Sequence, residues 1–113
     1  VVVTDHHDIP YKEDDKGKHQ IFPDADAVID PKRYDDPYSF KFMTGAGISY
    51  KFAKALYRKM NLDEREVDKY LEYAALGTVC DVQDLVDENR IIVTEGLKQI
   101  NNTENIGLKA LIK

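Results

Sequence analysis

The chain is short of cysteine, of long apolar runs and of positive charge, and each shortage narrows what it does. A lone Cys80 cannot form an internal disulfide, which points to a reducing, cytoplasmic setting. Cys80 also has no CxxC partner and no basic neighbour to lower its pKa, so it reads as buried filler. No apolar run approaches the ~20 residues that span a bilayer, and no signal-peptide pattern is visible, so no membrane partner is expected. With 21 acidic against 16 basic residues the formal charge is −5, which excludes a general polyanion binder. Contact with phosphate must then be local, through a metal or a small basic stripe. Internal repeats and low-complexity tracts are absent, and 113 residues suffice for one domain or part of one.

What the chain has is concentrated in a few places. It opens Val1-Val2-Val3-Thr4-Asp5-His6-His7, a β-branched run that delivers a carboxylate and two imidazoles in succession. This reads as a buried strand ending in a metal site, because ligands of open α/β sheets bind beyond the carboxyl ends of strands. Asp oxygen and His nitrogen suit Mn²⁺, Mg²⁺ or Zn²⁺. Neighbours on an extended chain point to opposite sides, so His6 and His7 are expected to do different jobs. The strand has no lead-in, so the chain is expected to be a piece of a longer one.

The remaining pattern predicts an α/β fold that is helix-rich in its second half. Tyr11 to His19 reads as an exposed charged loop with His19 on the surface, Ala25 to Ile29 as a second short strand, and Pro31 to Phe42 as irregular. Ile48, Phe52, Leu56 and Met60 predict a helix from Thr44 or Gly45 to Met60. Val67, Tyr70, Leu71, Ala74 and Ala75 give a second helix after an Asn61-Leu62-Asp63 cap, with Gly77 as its stop. A third helix, capped by Asp84 or Asp87, carries Val93, Leu97 and Ile100 on its apolar side, although Ile91-Ile92-Val93 would also suit a strand. Ile106 to Lys113 reads as a final short helix.

Two further constellations accompany the Asp-His-His triplet. Asp81 follows the second helix among small and apolar residues, where capping and ligation are about equally suitable roles. Thr44-Gly45-Ala46-Gly47-Ile48-Ser49 opens the first helix, and helix N–H groups attract anions. Tight packing is the commoner reason for such glycines. Lys51, Lys54 and Arg58 share the face opposite the apolar stripe, and Asn89 and Arg90 are polar groups able to brace a site or contact phosphate.

The segment from Val2 to His7 resembles the signature of the DHH phosphoesterases. Leu76 to Arg90, Met43 to Lys51 and Pro23 to Pro31, the last similar to a "P-x-A…NP" segment, resemble the RecJ single-strand exonucleases within that family, as do Gly96-Leu97-Lys98 and Gly107 to Leu111. The likeness covers essentially the whole chain in order, with Cys80 where Ala is expected. It implies residues 1–113 as the C-terminal part of one parallel-sheet DHH domain, without the upstream aspartate motifs or the downstream DHH-associated domain. It also implies one or two Mn²⁺ or Mg²⁺ ions that polarise a phosphodiester for in-line attack. His6 and Asp81 would be metal ligands. His7 would act at the scissile phosphate and Asp5 would orient the imidazoles, both catalytic in that reading. Gly45, Gly47, Lys51, Asn89 and Arg90 would bind phosphate or substrate. The implied function is 5′-to-3′ hydrolysis of single-stranded DNA in recombination and repair, with helicase or single-strand-binding partners, and with this piece inactive alone. The competing readings are a DHH enzyme for oligoribonucleotides or cyclic dinucleotides, a non-catalytic RecJ-like replication scaffold, and an α/β domain whose charges are only surface.

Overall fold

The computed structural model describes residues 1–112 and is a mixed α/β arrangement with a short parallel sheet and four α-helices. Strand β1 (Val2–Thr4) pairs in parallel with β4 (Ala27–Ile29), in the register Val2–Ala27, Val3–Val28 and Thr4–Ile29. Between them β2 (Tyr11–Asp14) and β3 (Gly17–Gln20) form an antiparallel hairpin. That corrects the loop expected from residues 11–19. Cross-strand pairing holds the segment, with Gly17 supplying the turn at a φ of 116°. The hairpin buries no apolar face, so hydrophobic patterning carries no sign of it. Its His19 is exposed, as expected. Residues 31–42 are irregular, also as expected.

Helix α1 (Gly45–Lys59) starts where the Thr44 hydroxyl accepts from the Gly47 N–H at 3.1 Å. It closes with Arg58 and Lys59 beside the C-terminal dipole, and Asn61 turns the chain at a φ of 56°. Asp63 caps a 3₁₀ segment, Glu64–Tyr70, which runs into α2 (Leu71–Cys80). Gly77 does not stop α2; the helix passes through it to Cys80, and Cys80 is exposed rather than buried. Helix α3 (Asp87–Ile100) begins after Val86 with no side-chain cap, so neither Asp84 nor Asp87 caps it. Its first turn carries Asp87 and Glu88, which suit the positive end of the helix. Asn105 caps α4 (Ile106–Leu111), accepting from the Leu108 N–H at 2.9 Å. The last residue of the predicted fourth helix, Lys113, lies outside the described residues.

The core is small and helical. Phe40, Met43, Ile48, Ala74, Ala75 and Ile92 are buried together, with Ile29, Tyr38, Tyr50 and Leu71 packed against them. The predicted stripe on α1 is buried only at its start, since Leu56 and Met60 face solvent. On α3 the buried set is Asn89, Ile92, Val93 and Gly96, and Leu97 is exposed. Strand β1 is not the buried strand expected of it, because Val1 and Val2 are open to water. An apolar groove of about 610 Å³ runs between β4, the irregular segment and α1. Among the described residues, no helix is long and apolar enough to cross a membrane.

Helices α2 and α3 approach closely because Gly96 has no side chain. A Cβ at Gly96 would lie 2.3 Å from the Ala75 Cβ and 2.8 Å from the Leu71 carbonyl oxygen. Overpacking of this kind costs about 1–3 kcal/mol, and a clash with rigid backbone belongs at the upper end. Alanine gains about 1 kcal/mol over glycine inside a helix, so the clash wins. Gly96→Ala will therefore lower the unfolding free energy, measurable by denaturant titration.

Candidate metal and phosphate site

Four of the predicted residues meet at the carboxyl end of β1. The chain leaves the sheet at Asp5, whose N–H donates to the Ile29 carbonyl at 3.0 Å. The Asp5 carboxylate then folds back over the next two residues. Its Oδ1 accepts from the His6 N–H at 2.8 Å, the His7 N–H at 3.4 Å and the His7 ring Nδ1–H at 2.7 Å. Because a carboxylate only accepts, that contact places the His7 proton on Nδ1 and leaves Nε2 unconstrained. The turn also corrects the expectation that the two imidazoles diverge. Residues 6 and 7 are past the strand, and their ring centroids are 4.4 Å apart. Their settings still differ, since the His6 side chain is 16% exposed and the His7 side chain 76%.

Asp81 arrives from the other side, at the carboxyl end of α2. Its Oδ2 lies 3.8 Å from His6 Nδ1 and accepts from the Gln83 side-chain amide at 3.0 Å. The separation is too long for a hydrogen bond. Adjacent ligands about 2.0–2.2 Å from one octahedral cation would stand about 3 Å apart, so the two side chains face each other but are set wider than a shared ion requires. Helix packing sets this approach. A Cβ at Gly77 would lie 2.5 Å from the Ala46 Cβ, so α2 crosses the start of α1 at closest range there. Asp81 is one turn further along α2. Gly45, next to Ala46, lies against the His6 ring, where its Cβ would be 3.5 Å from Cδ2. Thr4 and Ser49 join β1 to α1 at 3.3 Å between hydroxyls, and Thr44 and Thr78 join α1 to α2 at 3.4 Å. Immediately after Asp81, Val82 is held at a φ of 55° and is 87% exposed. A β-branched residue is a conformational outlier there.

The donor set is partial. Among the described residues, no three His, Cys, Asp or Glu side chains converge on one point. The other predicted contacts divide. The Gly47 N–H is used by Thr44, and a Cβ there would meet the Met43 side chain at 2.7 Å, so Gly47 serves packing. Lys51 is tied to Glu88 and the Tyr38 hydroxyl, Lys54 to Asp68, and Arg58 to Glu64. The basic face of α1 is thereby neutralised within the chain. Asn89 is fully buried and donates to the carbonyls of Phe42 and Asp84 at 2.8 and 3.0 Å, bracing the loop after Asp81. Arg90 is exposed and has no carboxylate partner among the described residues.

Comparison with known proteins finds similarity over the full length of the chain. No protein-family model matches the chain. The single-stranded-DNA-specific exonuclease RecJ of Bacillus subtilis is 39% identical over 113 residues, which is 100% of this chain and 12% of that protein. The chain is a RecJ-family sequence. RecJ of Dickeya dadantii is 32% identical over 123 aligned residues, covering 100% of the chain and 20% of that protein. RecJ of Thermus thermophilus is 33% identical over 111 residues, with 98% and 15% covered. The chain thus spans between 12% and 20% of the length of these RecJ relatives.

Asp30 lies at the end of the segment that resembles "P-x-A…NP", standing where that pattern has Asn. Asp30 ends β4 as Asp5 ends β1, and it is 1% exposed. Burial pushes its carboxyl up, against the hydrogen bond from the Lys32 N–H, and the neighbouring Asp5 adds to the rise. The Asp30-Pro31 pair reads from sequence as a strand stop. Only the pairing of the two strands places it here.

The Asp5–His7 contact predicts a pH window. The hydrogen bond with Asp5 raises His7 above the ordinary 6.5, so its contribution is complete below 6.5 and fades as pH rises through the folded value. The same bond lowers Asp5 below 3.8, so its contribution is complete above 3.8 and fades as pH falls through the folded value. The ring orientation is therefore firmest between those limits. In an NMR titration His7 will show a midpoint above 6.5, and Asp5→Asn will return it towards that value.

Proposed function

We propose that this chain supplies part of the metal site of a DHH-type phosphodiesterase that degrades single-stranded DNA from the 5′ end. The observation that carries the reading is the approach of Asp81 to His6 at 3.8 Å, from separate elements, at the carboxyl end of a parallel strand. His6 and Asp81 would hold a Mn²⁺ or Mg²⁺ ion only with further ligands supplied from outside this set. When bound, the cation polarises the phosphodiester and favours in-line attack by water. Asp5 fixes the His7 ring through Nδ1, which turns Nε2 towards the scissile phosphate, and the raised pKa favours the charged imidazolium there. Arg90, exposed and unpaired among the described residues, contacts the phosphate backbone more readily than the tethered Lys51. Asn89 braces the loop between Asp81 and helix α3, on which Arg90 sits. The names of the relatives support single-stranded DNA as substrate over small cyclic or oligoribonucleotide substrates. The setting is recombination and repair in the cytoplasm, where helicases or single-strand-binding proteins would present the strand.

Two experiments test this. The chain alone will bind Mn²⁺ weakly, lose that binding in His6→Ala and Asp81→Asn, and show no turnover of 5′-labelled single-stranded DNA. Substituted for the matching segment of Bacillus subtilis RecJ, it will support 5′-end degradation that His6→Ala abolishes. A folded chimera that is inactive, or that prefers dinucleotides to long single strands, would overturn the assignment.

A further inference from the structure

A second cleft, of about 460 Å³, opens between the 3₁₀ segment, the start of α2, the end of α3 and the turn before α4. It lies away from Asp81, because Tyr73 and Asp81 stand at opposite ends of α2, eight residues and about 12 Å apart along its axis. Its apolar wall is a pair of half-exposed rings, Tyr70 and Tyr73, with centroids 6.3 Å apart and planes inclined at 37°. Its free polar groups are acceptors. Gln99 is fixed by its Nε2–H, which donates to the Asp68 carbonyl at 2.9 Å and leaves the buried Oε1 without a donor among the described residues. Glu72 is 7% exposed, and no ion pair among the described residues reaches its carboxylate. The amide donors nearby are committed elsewhere. Asn102 Nδ2 donates to the Lys98 carbonyl at 3.2 Å, and Asn105 Nδ2 to the Tyr73 hydroxyl at 2.9 Å. Glu104, the other carboxylate of the lining, is paired with Lys109 at 3.0 Å.

Buried acceptors without donors are costly, so the cleft suits an occupant that brings N–H groups together with a flat face for the rings. A water molecule supplies the first and not the second. A guanidinium supplies both, but the Lys69 ammonium already stands 5.1 Å over the Tyr70 ring and opposes a second cation. The same ammonium suits the phosphate of a stacked nucleotide. Of the four DNA bases, guanine alone presents two adjacent donors, N1–H and N2–H₂, on its pairing edge. A carboxylate and an amide carbonyl can accept from them.

We propose that this cleft binds an unpaired guanine base of single-stranded DNA, stacked on the Tyr70–Tyr73 pair with its pairing edge towards Glu72 and Gln99. The ligand class rests on the single-strand reading above; the binding itself needs no metal ion.

The test is an NMR titration of the full chain in EDTA with d(TTGTT) and with d(TTTTT), following the Tyr70 and Tyr73 ring protons. Both rings are expected to shift saturably, with d(TTGTT) bound roughly tenfold more tightly. Tyr70→Leu is expected to weaken both oligomers roughly tenfold, and Glu72→Gln to abolish the preference for guanine. Should Tyr70→Leu fail to fold, the isosteric Glu72→Gln carries the test. Equal affinity for the two oligomers, or a preference that survives Glu72→Gln, would sink the proposal. So would rings that stay unmoved by either oligomer yet shift with N-acetyl-arginine amide, which would make the cleft a site for a basic protein partner. Failure of the single-strand reading shows elsewhere, as a folded chimera with the Bacillus subtilis enzyme that leaves the strand intact.

Discussion

The contact between Ala46 and Gly77 governs the rest of this structure. Two helices meet there with almost no side-chain volume between them, as the 2.5 Å clearance for an added Cβ shows. Everything chemically interesting is one step away. Gly45 precedes Ala46 and supports the His6 ring; Asp81 follows Gly77 by one turn and faces that ring. The Thr44–Thr78 hydroxyl contact lies within two residues of the crossing on each helix, and Thr78 is further tied to the Ala74 carbonyl at 2.7 Å. A methyl group at residue 77 would therefore separate the two halves of the site as well as loosen a packing contact.

Charge is distributed so that few groups near this crossing remain free. Lys51, Lys54 and Arg58 each have an acidic partner on another element, which ties α1 to α3 and to the 3₁₀ segment. Such half-exposed pairs add little stability individually. Their larger effect is on recognition. They remove most of the positive field that a helix with three cations would offer to a polyanion, while Arg90 stays without a carboxylate partner among the described residues.

The sequence made part of this legible, and the limits have physical causes. Helix α1 was readable because a Thr cap and a four-residue apolar rhythm coincide, and the irregular 31–42 stretch because proline and aspartate crowd it. The Asp-His-His triplet and Asp81 stood out because polar ligands there follow elements with strong patterns. The hairpin at residues 11–20 was hidden, since a ladder of backbone hydrogen bonds with no buried face leaves no periodicity. Gly77 reads as a stop in sequence because glycine serves both chain termination and close helix approach, and only the partner helix distinguishes them. Residue type suggests an interior place for Cys80, yet it is exposed at the last turn of α2. Asp30 looked like punctuation, and its relation to Asp5 exists only through strand register.

The valine at 82 carries one more implication. Its left-handed backbone stores on the order of 1–3 kcal/mol, and nothing covers its isopropyl group. Helix α2 ends at Cys80 and Asp81 is its C-cap, so the strained residue adjoins the one that carries the Asp81 carboxylate. The setting of the Asp81 side chain is thereby coupled to the conformation of the loop that leads to helix α3.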